Sequence, residues 1–297
     1  MISILIPVYN YSIIELGKEL INQGKKLRCP FEIIFLDDAS HDKKTSIANQ
    51  SFCETNRLTY LISKKNRGDA ETRNHLADQA KYEWLLFIDA DIMPVKDNFL
   101  IRYAEEIYLK RKWVYTNIIY KKEKPKEGIL RWKYGVKYEI TSTEERLKNP
   151  YSAFRLACFL IHRSLLEITP FPAQKESYGY TDLVFATGLK KQGVKPYYIE
   201  NPVYHLGLEN NEAYLEKVEK AMNHAASVIT AKSDLASDIK AASLYLKMKR
   251  IHLDKVIGWV FQRIKPGIRK NLLSKTPNIR LLQLYKLGYL CEILARK

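Results

Sequence analysis

Four short aliphatic runs, each ending in polar residues and each but the last followed by a helically spaced segment, constrain this chain more than any other feature. They are Ile2 to Val8, Phe31 to Leu36, Leu58 to Ser63 and Trp84 to Ile88. Mostly apolar runs of this length suit strands buried on both faces of a sheet. Residues 12–25 carry Ile13, Leu16, Leu20 and Ile21 at helical spacing and stop at Gly24, and residues 42–52 and 69–80 also read as helices. The alternation βαβαβαβ predicts an α/β domain with a doubly wound sheet. Ligands of such sheets bind beyond the carboxyl ends of the strands. Asn10, the pair Asp37 and Asp38, and the pair Asp89 and Asp91 each follow directly after a predicted strand.

The rest is less regular. Residues 97–112 read as helical, Trp113 to Tyr120 as strand-like, and 128–150 as ambiguous. Ala157 to His162 reads as another buried strand, 182–192 as a helix ended by Gly193, and Pro196 to Ile199 as a short strand. From Asn211 onward the spacing is mostly helical.

Three clusters carry side chains suited to chemistry. Asp89-Ala90-Asp91 places two carboxylates around a small residue, a pattern that binds a hard divalent cation or simply turns the chain in solvent. Asp38, in Asp37-Asp38-Ala39-Ser40, can accept a hydrogen bond from a nucleobase, while Ser40 can cap the next helix. Gly68 permits close approach of backbone to ligand, and Arg73 on the following helix can reach a base or diphosphate or stay on the surface. His205, after a short strand, is either a late metal ligand or a hydrogen-bonded structural imidazole.

Taken together, Ser3-Ile4-Leu5-Ile6-Pro7-Val8-Tyr9-Asn10, then Asp37-Asp38-Ala39-Ser40, then Asn66, Gly68, Arg73 and Asn74, then Asp89-Ala90-Asp91, resemble glycosyltransferase family 2 in order and spacing. The resemblance is dense over residues 2–91 and thinner beyond. It implies a GT-A fold, a Rossmann-like mixed sheet flanked by helices, and transfer that inverts the anomeric centre. It implies that Pro7, Tyr9, Asn10, Asp38, Gly68, Arg73 and Asp89 line the donor nucleotide site. Asp89 and Asp91 would form the metal motif for Mn2+ or Mg2+, with His205 as a further candidate. The stretch Tyr178-Gly179-Tyr180-Thr181-Asp182 matches the family's base motif, with Thr181 in place of the usual Glu and Asp182 as the base. Inversion by direct displacement needs such a base beside the acceptor hydroxyl; the plainer reading is that Asp182 caps a helix. The implied partners are a nucleotide-sugar donor, UDP favoured through Asp38, and a saccharide or lipid-linked saccharide acceptor, as in bacterial surface polysaccharide synthesis.

The division that follows is a catalytic domain at 1–225, with a donor half near 1–100 and an acceptor half near 101–225, and a basic helical extension at 226–297. The chain has a net charge of +16, of which 247–297 carries +11, from 13 Lys and Arg against Asp254 and Glu292. The mixed Lys/Arg, aliphatic and aromatic composition of Leu244 to Ile264 and Leu281 to Leu294 suits either a membrane interface or packing against protein. Cys29, Cys53, Cys158 and Cys291 lack metal-site spacing and are too sparse for a disulfide framework. With no basic leader and no run of about 18 apolar residues, a cytoplasmic enzyme, peripheral on the inner face of the cytoplasmic membrane, is expected. Self-association stays open, and nucleic acid is not expected. A nucleotidyltransferase would open with a Gly-rich basic loop where Pro7-Val8-Tyr9-Asn10-Tyr11 stands. A non-enzymatic basic binding protein would leave the acidic strand ends without a role.

Overall fold

The computed structural model describes residues 1–172 and 179–295. Tyr178, the first residue of the stretch matched to the base motif, lies outside the described residues. In chain order, β1 (Ile2–Val8), α1 (Ile14–Gly24), β2 (Phe31–Asp37), α2 (Lys43–Thr55), β3 (Thr59–Ile62), α3 (Asp69–Gln79) and β4 (Trp84–Ile88) reproduce the predicted alternation. Next come β5 (Ile92–Pro94), α4 (Phe99–Tyr108), β6 (Trp113–Tyr115), β7 (Ile118–Ile119), α5 (Ile129–Tyr138), α6 (Thr143–Lys148) and α7 (Pro150–Ala153). Then follow β8 (Cys158–His162), α8 (Arg163–Ile168), α9 (Thr181–Lys191), β9 (Tyr197–Tyr198) and β10 (Val203–His205). The chain continues through α10 (Asn211–Thr230), α11 (Leu235–Asp238), α12 (Lys240–Arg250), α13 (Asp254–Leu272) and α14 (Ile279–Ala295).

The described residues form two compact units. The first takes 1–121, 140–172 and 181–207; the second takes 122–139, 179–180 and 208–295. The boundary expected near residue 225 falls inside α10, a continuous helix of the second unit.

The first unit holds a seven-stranded sheet in the order β3-β2-β1-β4-β8-β6-β9. Strands β1 to β4 run parallel, whereas β8 is antiparallel to both β4 and β6, so the sheet is mixed as expected. Strand β1 is buried along both faces, and its lone polar residue, Ser3, donates to Glu32 at 2.5 Å. Beneath the strand ends lies an aromatic core in which Phe87 stacks on Phe159 at 5.1 Å and Phe171 on Phe185 at 4.6 Å. Each such ring, fully buried, contributes about 1.5–3 kcal/mol. The predicted strand Trp113 to Tyr120 divides into β6 in the large sheet and β7 in a second, three-stranded sheet ordered β5-β10-β7. In that small sheet β10 is antiparallel to β5, with His205 opposite Ile92, and parallel to β7.

The second unit is helical. Leu130, Tyr214, Leu215, Val218, Phe261, Ile268, Leu272, Leu282 and Tyr285 form its core. Helices α13 and α14 meet closely because Gly288 leaves room for Phe261: a Cβ there would lie 2.9 Å from the Phe261 Cβ and nearer still to its ring. The apolar stretch Leu281 to Leu294 is thereby claimed by protein packing, with Leu282, Tyr285, Leu290 and Cys291 buried. No described helix is long and apolar enough to cross a membrane.

Candidate active site

The register of the parallel strands brings the polar clusters to one edge. Val8 pairs with Asp37, Asp37 with Ile62, and Leu5 with Phe87. Asn10 and Ala39, just past β1 and β2, adopt left-handed backbone at φ 50° and 57°. Asn tolerates that region, whereas for Ala it is strained and must be held by its surroundings. The holding bonds are present. The Asn10 N–H donates to Ser40 Oγ at 2.8 Å, and Asn10 Oδ1 accepts from the N–H groups of His41 and Asp42 at 2.8 and 3.1 Å. Ser40 is thus a loop tie; the cap of α2 is Asp42, which accepts from the Thr45 N–H at 3.1 Å.

The two neighbouring carboxylates have different jobs. Asp37 accepts from the Ser40 N–H and from the hydroxyls of Ser46 and Tyr60, all within 2.8 Å. Burial alone would raise its pKa, but these hydrogen bonds outweigh it and hold the carboxyl below the usual range. Asp38 grips the next loop, one oxygen accepting the Arg67 N–H at 2.8 Å and the other the Gly68 N–H at 2.9 Å. Gly68, at φ 83°, begins α3 in a conformation that only glycine adopts without strain. Pro7 lies within β1, and Tyr9 stands exposed on the rim with its ring edge-on to His41.

Arg73 is buried on α3 rather than displayed on a surface. Its Nε donates to Asp69 at 3.1 Å, its Nη2 pairs with Asp89, and its guanidinium lies 5.9 Å from the Phe87 ring centroid. Burial opposes its charge, but Asp69 and Asp89 more than compensate and push its pKa up. Its remaining nitrogen, Nη1, is buried with no hydrogen-bond partner. Asp89, immediately after β4, donates its backbone N–H to Ala157 at 2.8 Å. Burial pushes its carboxyl up, Arg73 pulls it down, and Asp91 and Asp69 add to the rise.

Asp91 meets His205 through the small sheet. The Asp91 carbonyl accepts the N–H groups of Leu206 at 2.7 Å and Gly207 at 3.3 Å, which brings His205 Nε2 to 3.6 Å from Asp91 Oδ2. The His205 ring stacks on Tyr120 at 5.5 Å. Tyr11 closes the other side: burial, then the Asp91 charge, raise its pKa. Gly207 presses against the acid, since a Cβ there would stand 2.6 Å from Asp91 Cβ.

The three residues expected to bind metal do not converge as a set. Among the described residues no three His, Cys, Asp or Glu side chains form a cluster able to hold a cation. Asp89 pairs with Arg73, while Asp91 faces His205. A carboxylate oxygen and an imidazole nitrogen facing each other at 3.6 Å suit a divalent cation whose other positions are filled by phosphate oxygens or water.

Asp182 lies in the first turn of α9, not ahead of the helix as a cap. One carboxylate oxygen accepts the Leu183 N–H at 2.9 Å, and the other lies 3.6 Å from Arg155 Nη1. Arg155, Asp69, Tyr11 and Tyr120 were not singled out from the sequence. Asp69 alone carried a signal, an acid four residues before Arg73 on a helix.

Comparison with known proteins places this geometry. A model of glycosyl transferase family 2 matches residues 3–168. An uncharacterized glycosyltransferase of Haemophilus influenzae is 32% identical over 108 residues, covering 36% of this chain and 35% of that protein. A glycosyltransferase of Streptococcus pneumoniae, GlyG, is 27% identical over 112 residues, covering 37% and 36%. The chain spans about a third of the length of these two curated relatives. Among solved structures, a mannosyltransferase from Pyrobaculum calidifontis in complex with GDP-Man and Mn2+ superposes with a TM-score of 0.57 at 17% identity, over 99% of this chain and 85% of that one. Glucosyl-3-phosphoglycerate synthase from Mycobacterium tuberculosis, solved with Mn2+ and UDP, gives 0.51 at 13% identity over 75% and 77%. At these identities the likeness carries the fold, which is GT-A.

Proposed function

The chain belongs to glycosyltransferase family 2, and we propose that it transfers a sugar from a nucleoside-diphosphate sugar, UDP favoured, to an acceptor hydroxyl with inversion at the anomeric carbon. The observation that carries this reading is the pairing of Asp91 with His205 beside the Arg73–Asp89 ion pair, at the carboxyl edge of the sheet. Asp91 and His205 would hold the cation, and the imidazole nitrogen in that pair favours Mn2+ over Mg2+. When bound, the cation neutralises charge on the departing diphosphate. Asp89 stays in the donor site but acts through Arg73, whose unpartnered Nη1 offers a further donor hydrogen to the nucleotide. Asp38 positions the nucleoside side indirectly, by fixing the backbone of Arg67 and Gly68, with Pro7, Tyr9 and Asn10 bordering the same edge.

On the acceptor side, Asp182 accepts the hydroxyl proton as the oxygen attacks. The new C–O bond forms as the bond from the anomeric carbon to the diphosphate oxygen breaks, and the electron pair leaves with the diphosphate. Arg155 and the Leu183 N–H fix the carboxylate orientation. The acceptor we propose is a saccharide or lipid-linked saccharide of a bacterial surface polymer, met by an enzyme docked peripherally through its basic C-terminal region on the inner face of the cytoplasmic membrane.

The test is nucleoside-diphosphate release from a panel of sugar nucleotides, with Mn2+, with Mg2+ and with EDTA. Turnover is expected with Mn2+, less with Mg2+ and none with EDTA, and His205→Ala should narrow the Mn2+ preference. Full turnover in EDTA would remove the metal from the reading. Release of sugar 1-phosphate instead would mark nucleotidyl transfer.

A further inference from the structure

Helix α13 turns its apolar side two ways. Phe261, Ile268 and Leu272 face the core of the second unit, while Val256, Trp259, Val260 and Ile264 are exposed at 54%, 58%, 40% and 41%. Their spacing of three, one and four residues puts them on one outward stripe. Ile251 and Leu253, in the turn between α12 and α13, extend the stripe and are likewise exposed. Trp259 is the exposed one of four tryptophans. The Arg263 guanidinium lies 3.4 Å from its ring centroid and donates to its carbonyl at 3.1 Å.

The charges around this stripe have one sign. Lys247, Lys249, Arg250, Lys255, Arg263 and Lys270 are exposed. Between residues 244 and 272 Asp254 is the sole acid, and it interacts with the Tyr245 hydroxyl. Lys265 and Arg269 are occupied elsewhere, with Glu292 and with Glu212 and Glu219.

We infer that the α12–α13 face is the surface by which this protein lies on an anionic lipid bilayer. An exposed apolar stripe that carries an indole, with exposed cations on the same two helices, fits the boundary between headgroups and acyl chains. A second copy of the chain would set six cations against six cations, and an apolar protein groove would leave them unmatched. Helix α14 gives Leu282, Tyr285, Leu290 and Cys291 to the core and exposes Leu284 without a matching apolar stripe. The inference rests on the peripheral docking proposed above and assigns it to one face.

The experiment is co-sedimentation of the full chain with vesicles of neutral phosphatidylcholine, and of phosphatidylcholine with about a third phosphatidylglycerol, at low and at 0.5 M salt. The wild type should bind only the anionic vesicles, less at high salt, with a blue shift of tryptophan emission that Trp259→Phe removes. Each surface cation is worth about one factor of five, so Lys249→Glu/Arg250→Glu/Lys255→Glu, which removes three and adds three acids, should weaken binding by at least about a hundredfold. Trp259→Ser/Val260→Ser should weaken it at least about tenfold. Lys275→Glu/Arg280→Glu, equally basic and exposed but off the stripe, should bind within about threefold of the wild type. Circular dichroism checks that each variant folds. If only the 275/280 variant lost binding, this assignment would fall while peripheral docking stood. No wild-type binding to anionic vesicles would remove both. A dimer in solution that Trp259→Ser abolishes would identify a second copy as the occupant and overturn the inference.

Discussion

Asp182, the proposed base, shows how a side chain needs its neighbours to be understood. Its carboxylate is held at both ends, by the Leu183 N–H and by Arg155, so it keeps one orientation and has lone pairs left to take a proton. Asp182→Asn keeps the shape and the acceptor for Leu183 but cannot serve as a base at neutral pH. We expect kcat to fall by about 10²–10⁴-fold with the dissociation constant for the sugar nucleotide unchanged, measured by calorimetry beside single-turnover transfer. A matching loss of donor affinity would move Asp182 to the donor side. Asp182 was reached through a motif, whereas Arg155 was invisible in the sequence, since it precedes β8 with no spacing relation to α9. Arg73 was expected near the donor, but its burial could not be read. A guanidinium on a polar helix looks solvent-facing until Asp69 and Asp89 are found on either side of it.

At the scale of elements, what the sequence carried was local and what it missed was pairing. The four parallel strands announce themselves through mostly apolar runs, and each delivers its polar cluster in the next few residues. The small sheet has no such mark: β5 and β10 are three residues each and β7 is two, below the length at which periodicity is informative. Yet this sheet makes the pair proposed to hold the metal, by setting His205 opposite Ile92 and the Leu206 N–H on the Asp91 carbonyl. Gly207 is its tightest point. Gly207→Ala would drive a methyl group into the Asp91 side chain, which can turn away from His205 more easily than the strands can part. We therefore expect Mn2+ affinity to drop by about 10–100-fold, as for other supporting residues of metal sites, while the melting temperature moves little. Mn2+ titration followed by calorimetry, paired with thermal unfolding without metal, separates the two. A large loss of stability with unchanged Mn2+ affinity would show that the glycine serves the strands alone.

At the scale of the whole molecule, the uneven charge gains a physical meaning once the second unit is seen to have its own core. Residues 247–297 look like a detachable basic tail, and their removal is the natural test of membrane docking. They also supply Phe261, Ile268, Leu272, Leu282 and Tyr285, which cover Leu130, Tyr214, Leu215 and Val218. Truncation at 246 would therefore test folding before it tested docking, and point changes on the exposed stripe are the cleaner instrument. One cation of this region is partly buried. Lys286 Nζ sits 4.1 Å from the Tyr134 ring centroid, and burial pushes its pKa from 10.5 down to about 8, with Glu139 and Tyr138 opposing and Arg131 assisting. Between pH 8 and 10.5 the unfolded chain holds a proton on this lysine that the folded chain has released. This group therefore makes stability rise with pH across that window, and below pH 8 the folded state carries the full cost of a poorly solvated ammonium. Lys286→Met keeps the hydrocarbon stem and removes the charge. Allowing for the lost cation–π contact, it should stabilise the protein by about 1–2 kcal/mol at pH 7, and the gap to wild type should close as pH approaches 10.5. Denaturant unfolding of both proteins at pH 7 and pH 10 measures the difference directly, since every other titrating group is shared. An equal gap at the two pH values would mean that Lys286 is solvated as an ordinary surface lysine.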